Sequence, residues 1–283
     1  MGDQQRPNIV FAVADDASHM SAYGHGFVQT PTFDRVAAEG VLFTNAFTTN
    51  PKCAPSRASI LAGRQTWTLE EAAIHYGIFP AKFPVYPDLL EAAGVDPAPG
   101  MSGSSLLPLL RSHEEGFVDG SRDRVYMGRE NHDLGREGDR GYPVRCVRTR
   151  DYLYVRNFAP ERWPAGNPET GFTNCDSSPT KRLILQQHAS GDDTFFSLAF
   201  GKRPEEELYD ITADPECLNN LAGDGEYDEI RVTLRNDLER ELRITGDPRI
   251  QGNGDVFDSY EYTGSDAHSW KAWVEGRFEP QWF

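Results

Sequence analysis

Asn8-Ile9-Val10-Phe11-Ala12-Val13-Ala14 is a nearly continuous apolar run that stops at Asp15-Asp16. Such a run has no polar face, so it predicts a strand buried on both sides, as in a parallel sheet. Downstream, Thr30-Pro31 followed by Phe33, Val36 and Ala37 and closed by Gly40 predicts a short capped helix. Val41-Leu42-Phe43 then opens a second strand. Strand, helix and strand in this order form the βαβ pattern of an α/β fold. In open α/β sheets ligands bind beyond the carboxyl ends of the strands, and Asp15-Asp16 falls at that place.

Further along, Pro55 suits the first turn of a helix running from Ser56 to Ala62, with Gly63 as its stop. Tyr86 to Ala93 predicts another helix with Leu89, Leu90 and Ala93 on one face, and the Pro/Gly-rich stretch from Gly94 to Gly100 breaks the chain. The expected division is an α/β part over residues 1–94 and a second part over 95–283. Beyond the break the texture changes to short aromatic, alternating strands: Arg124 to Met127, Tyr142 to Thr149 and Tyr152 to Arg156. These predict a small antiparallel sheet. Leu234, Leu238 and Leu242 repeat every four residues among charged neighbours, which predicts a surface helix from Arg231 to Leu242. No internal repeat or low-complexity tract interrupts the 283 residues.

The formal net charge is −16, of which residues 1–94 carry −3 and the remainder −13. Without a basic run to neutralise phosphates, neither nucleic acid nor an anionic membrane surface is an expected partner. An anionic substrate would need local cations or a metal to hold it against this field. The N-terminus lacks the basic and apolar regions of a signal peptide, so a cytoplasmic location is the default expectation. Four cysteines, Cys53, Cys146, Cys175 and Cys217, show no CxxC spacing, which argues against a disulfide framework or a structural zinc site.

Two features point to chemistry. Asp15 and Asp16 offer hard oxygen ligands for a divalent cation, or are solvated loop aspartates. Cys53-Ala54-Pro55-Ser56-Arg57 places a thiol at a helix start, where unsatisfied N–H groups favour an anion. Arg57 adds a planar donor fork suited to an oxyanion. The alternative is a buried free thiol beside a helix cap.

Cys53 to Arg57 resembles the formylglycine signature of type I sulfatases. The resemblance extends over Pro7 to Asp16, Thr30 to Ala37, Gly40 to Phe47 and Cys53 to Arg64. Gly128-Arg129-Glu130-Asn131-His132, Gly141 to Arg145, Glu207 to Asp210, Asp214-Pro215 and Asn219-Asn220-Leu221 are similar to the heparan N-sulfatase (sulfamidase) branch. The resemblance implies an alkaline phosphatase-like α/β sheet with flanking helices and a C-terminal antiparallel subdomain. It also implies a formylglycine-generating enzyme that converts Cys53, reading Cys53, Pro55, Ser56 and Arg57. In such enzymes one hydroxyl of the hydrated aldehyde attacks sulfur, and the second then expels sulfate. Asp15, Asp16 and modified Cys53 would bind a divalent cation, Ca²⁺, and Arg57 would hold the diol. The implied substrate is a sulfate ester or N-sulfo group on a sugar.

The family's central segment, with its Lys-x-His element and second metal pair, has no counterpart here. The chain passes from Ala93-Gly94 directly to Val95, where later family sequence resumes, so a truncated member is expected. A non-catalytic remnant and a phosphonate or phosphate monoester hydrolase are the rival readings. Glu130 and His132 are candidate substrate contacts, with a charged surface loop as the alternative. His19, His25 and His75 rank below them. Trp67 and Trp163 read as packing residues more than sugar platforms, and Cys146, Cys175 and Cys217 read as structural.

Overall fold

The computed structural model describes residues 10–14, 17–85 and 100–280. Pro31 opens the first helix, α1 (Pro31–Glu39), where its fixed φ and missing N–H cost nothing, and Gly40 ends it. The second, α2 (Cys53–Ala62), follows extended Lys52 and stops at Gly63. There a left-handed φ of 62° turns the Gly63 N–H onto the Ser59 carbonyl. Both helices agree with the sequence reading.

The apolar runs do not become strands. Residues 10–14 and 41–43 form neither helix nor strand, and Val10 is 92% exposed. A run apolar on both faces becomes a strand only when neighbours take its N–H and C=O groups and cover its sides. Among the described residues no strand lies beside either run. The expected helix from Tyr86 to Ala93, the Asp15-Asp16 pair and the junction between Gly94 and Val95 lie outside the described residues.

The chain is α/β, and its described strands form one antiparallel sheet. After the short α3 (Leu107–Leu110) come β1 (Val125–Arg129), β2 (Val144–Arg148) and β3 (Tyr152–Asn157). An excursion through α4 (Pro179–Ala189) and α5 (Thr194–Phe200) then leads to β4 (Glu206–Asp210). The four strands lie side by side in chain order, with Met127 opposite Cys146, Cys146 opposite Val155 and Tyr154 opposite Leu208. β2 alternates, burying Arg145 and Val147, as its sequence suggests. β4 instead buries Glu207, Leu208 and Tyr209 in succession, which hides the period of two. Buried Glu207 is satisfied by the Asn157 amide at 2.7 Å and the Tyr209 hydroxyl at 2.5 Å.

One face of the sheet is covered by α6 (Asp228–Ile244), longer at both ends than its leucine repeat. Its Leu234, Leu238 and Leu242 pack with Val147, Tyr154 and Leu208, and with Phe257 of α7 (Val256–Ser259). Each fully buried leucine contributes roughly 1.5–3 kcal/mol. Trp67 and Ala73, from before the Pro/Gly break, belong to the same core. Trp67 is 2% exposed and donates its indole N–H to Thr245, so it is a packing residue. The last helix, α8 (Trp270–Val274), is capped by Ser269, whose hydroxyl accepts from the Ala272 N–H.

A buried ion network ties these parts together. Arg145 donates from Nε to Asp247 at 2.6 Å and from Nη2 to Glu130 at 2.5 Å. Arg249 donates to the other Glu130 oxygen at 2.7 Å. The Arg145 guanidinium also lies over the Trp67 ring, 5.2 Å from its centre. Gly128 permits this approach: a Cβ there would stand 2.7 Å from Arg145 Cδ and 2.9 Å from the Trp67 ring.

Candidate functional site

Cys53 is the first residue of α2, and Arg57 follows one turn later on the same face, exposed to solvent. Pro55 sits in the first turn, where its missing N–H is tolerated. Ser56 ties the helix start to the preceding loop through a 2.5 Å contact between its hydroxyl and that of Thr48. The helix thus places the thiol at its N-terminus, with Arg57 four residues further along.

The neighbour of that thiol is a residue the sequence ranked low. His75 Nε2 lies 3.5 Å from Cys53 Sγ, and its Nδ1 lies 3.1 Å from Asp133 Oδ1. The backbone pins this histidine, because the His75 N–H donates to the Asn131 carbonyl in the loop after β1. Tyr262 donates its hydroxyl to the same Asp133 oxygen at 2.8 Å. On the other side of the carboxylate, His132 Nε2 is 3.0 Å from Oδ2. The rings of His75 and His132 meet edge to face, 5.4 Å apart.

Burial pushes the Asp133 carboxyl up. The hydrogen bonds from His75 and Tyr262 and the charges of His75 and Lys52 more than offset this, leaving it below the ordinary aspartate range. Burial also pushes the Tyr262 phenol up, with the Asp133 charge adding to it. The phenol therefore stays protonated and remains a donor.

These groups open onto a cleft of about 320 Å³ lined by Lys52, His75, Asp133, Asp176, Tyr262 and His268, among others. Lys52 stands at the N-cap of α2, so a cation flanks the thiol, and its Nζ is 3.9 Å from Asp176. Asp133, Tyr262, Lys52 and His268 were not singled out from the sequence. Their segments are brought together by the Asn131 and Tyr76 backbone carbonyls, the latter accepting from Thr263. The one signal a reader could have used is the pair of adjacent donors, His132-Asp133, after the strand.

The structure separates the other candidates. Glu130 points into the ion network, with both oxygens engaged by Arg145 and Arg249. His132 is nine-tenths buried beside Asp133. His19 and His25 pack ring to ring with each other and with Phe27 ahead of α1. Trp163 packs near Phe172, and all four cysteines are free thiols. Asp15 and Asp16 lie outside the described residues. Of the groups the resemblance assigns to that cation, the described residues show Cys53, with His75 Nε2 3.5 Å from its sulfur.

Residues 7–103 match the sulfatase family model. Over that stretch the chain is similar to the sulfatases. An ulvan-active sulfatase of Formosa agariphila is 29% identical over 163 residues, which is 57% of this chain and 25% of that protein. The N-acetylgalactosamine-6-O-sulfatase of Bacteroides thetaiotaomicron is 42% identical over 77 residues, 26% of this chain and 15% of that one. The human N-acetylgalactosamine-6-sulfatase is 46% identical over 65 residues, 22% and 12% of the two chains. A crystal structure of a putative sulfatase from Bacteroides thetaiotaomicron has a TM-score of 0.36 at 20% identity, covering 64% of this chain and 27% of that one. The chain spans a quarter or less of the length of the three sulfatases named first. No helix among the described residues is long and apolar enough to cross a membrane.

Proposed function

We propose that this chain carries the nucleophile half of a sulfatase site, hydrolysing a sulfate ester or N-sulfo group on a sugar through formylglycine made from Cys53. The observation that carries the reading is Cys53 at the first position of α2, with Arg57 on its face and His75 Nε2 3.5 Å from its sulfur. As a hydrated aldehyde, residue 53 would supply one hydroxyl to attack sulfur and a second whose deprotonation expels sulfate. A cation on Asp15 and Asp16 would polarise the sulfuryl oxygens.

The chain's own groups have roles that follow from their positions. The contact between Nδ1 and Asp133 holds the His75 ring in place, with Nε2 turned to residue 53, where it can take or return a proton. Lys52 and Arg57 place positive charge on either side of the helix start, where an incoming sulfate collects negative charge. They offset the −16 of the whole chain locally. Two of the relatives are named for 6-O-sulfated amino sugars. The resemblance of the C-terminal segments favours the N-sulfo bond. In the first case the leaving group is an alcohol, in the second an amine.

The test is peptide mass spectrometry on residue 53 after co-expression with a formylglycine-generating enzyme, followed by turnover assays. An aldehyde at position 53 together with release of sulfate supports the reading. An unmodified thiol overturns it and favours a non-catalytic remnant. Faster cleavage of an aryl phosphate than of an aryl sulfate would assign the site to phosphate esters instead. Comparing 6-O-sulfo and N-sulfo glucosamine separates the two sugar readings.

A further inference from the structure

We propose that His75, His132 and Asp133 form a binding site for a borderline divalent transition metal, for which Zn²⁺ is the probe. The site uses none of the residues the sulfatase resemblance assigns to a cation, and it does not depend on conversion of Cys53. One donor atom from each residue lies within 4.8 Å of the other two, and two of the three side chains come from the loop that follows β1.

The second observation is the state of His132. Its side chain is nine-tenths buried and its Nε2 has no hydrogen-bond partner, although Asp133 Oδ2 is only 3.0 Å away. Buried imidazole nitrogens without partners are costly, so such a nitrogen calls for an occupant. A hydrogen bond needs the N–H aimed at the acceptor. Two ligands of one ion need only aim at a common point between them. Ligands held at about 2.0–2.2 Å and subtending roughly 90–110° stand about 3–3.5 Å apart. Each imidazole meets this spacing to a different oxygen of the carboxylate: 3.0 Å from His132 Nε2 to Asp133 Oδ2 and 3.1 Å from His75 Nδ1 to Asp133 Oδ1.

The surroundings suit a metal as well. Tyr262 donates to Asp133 Oδ1 at 2.8 Å, which orients the carboxylate, and the Asp133 backbone N–H donates to Asn174 Oδ1 at 3.2 Å, which anchors the loop. With a metal on Nδ1 of His75, the proton of that ring sits on Nε2, aimed at Cys53 Sγ 3.5 Å away. Metal-bound histidines characteristically donate their other ring N–H in this way. The cleft beside His75 and Asp133 leaves room for water in the remaining coordination positions. Two imidazoles and a single carboxylate select zinc-like ions over Ca²⁺, which requires more oxygens.

The experiment titrates the full chain, stripped with a chelator, with Zn²⁺ by calorimetry and with Co²⁺ by visible absorption. One equivalent should bind, Co²⁺ should give the d–d bands of a nitrogen–oxygen site, and excess Ca²⁺ should not displace it. His132→Gln and Asp133→Asn should each weaken binding at least about tenfold. Asp15→Asn combined with Asp16→Asn should leave it unchanged, which separates this site from the sulfatase cation. If a variant fails to fold, ¹⁵N imidazole spectra of the wild type decide: Zn²⁺ must move the ring nitrogens of two histidines. Absence of saturable binding, unmoved ring nitrogens, equal affinity in the folded variants, or loss of binding in the Asp15/Asp16 variant overturns the proposal.

Discussion

Two regions of this chain treat apolar sequence in opposite ways. From residue 10 to residue 49 no described residue is buried, and Asn50 is the first that is. Phe27 is 74% exposed and Val36, on the apolar face of α1, is 61% exposed. From β1 to α7 the sheet and α6 bury Val147, Tyr154, Leu208, Leu238 and Leu242 almost completely. The first region lies within the stretch that matches the sulfatase family, whereas most of the second region lies outside it. Within the matched stretch the core begins only later, where Trp67 and Ala73 join the sheet's core. An amphipathic face stabilises only when an opposing face covers it, and α6 has the sheet where α1 has none among the described residues. The candidate site straddles the two, taking Cys53 and His75 from one side and His132, Asp133 and Tyr262 from the other.

The largest effect is expected at the buried ion network in the second region. Arg145→Met leaves Glu130 and Asp247 buried with fewer partners and should cost about 3–5 kcal/mol in urea unfolding. A loss under 1 kcal/mol would mean that the segment carrying Trp67 is not held to the sheet as described. Leu238→Ala, in the helix that does have a partner, should cost about 2–5 kcal/mol by the cavity it leaves. Asp133→Asn at the boundary between the regions should cost about 1–3 kcal/mol through lost charge-assisted hydrogen bonds.

The same variant has a pH signature. The folded Asp133 carboxyl titrates below its ordinary value of 3.8, so its stabilisation is complete above that value. As pH falls through the lowered folded value, the stabilisation is lost. The stability gap between wild type and Asp133→Asn should therefore be flat from neutral pH down to about 4 and then close. A gap that closes near pH 6 would place the effect on a histidine instead. The smallest effect belongs to Val36→Ser in α1, which should change stability by no more than about 0.5 kcal/mol. Amides of α1 should also exchange with solvent well before those of α6. Protection of α1 equal to that of α6 would erase the contrast between the regions.

Much of the local structure could be read in advance. Pro31 and Gly40 bracket α1, Gly63 ends α2, and the leucines spaced by four mark α6, because each acts through backbone or helical geometry within a few residues. β1 to β3 were visible through alternation. β4 was not anticipated as a strand: Glu207 is buried by pairing with Asn157 and Tyr209, so polarity and burial part company there. The parallel strands expected at 8–14 and 41–43 depended on neighbours that the run itself does not contain. Cys53 and Arg57 stood out in the site because their spacing is local. His75 did not, since it is 22 residues from Cys53 and 58 from Asp133, with no periodicity linking them.

By itself the sequence determined the helix that presents Cys53, the likeness to sulfatases and the alternating strands of the sheet. These rest on interactions between residues close in the chain, or on a motif five residues long. Only the tertiary structure decided that His75 faces the thiol, that Asp133 stands between two histidines and that Glu130 is spent on Arg145 and Arg249. Those outcomes depend on which distant segments share a core, and they follow from sheet pairing and burial across more than a hundred residues.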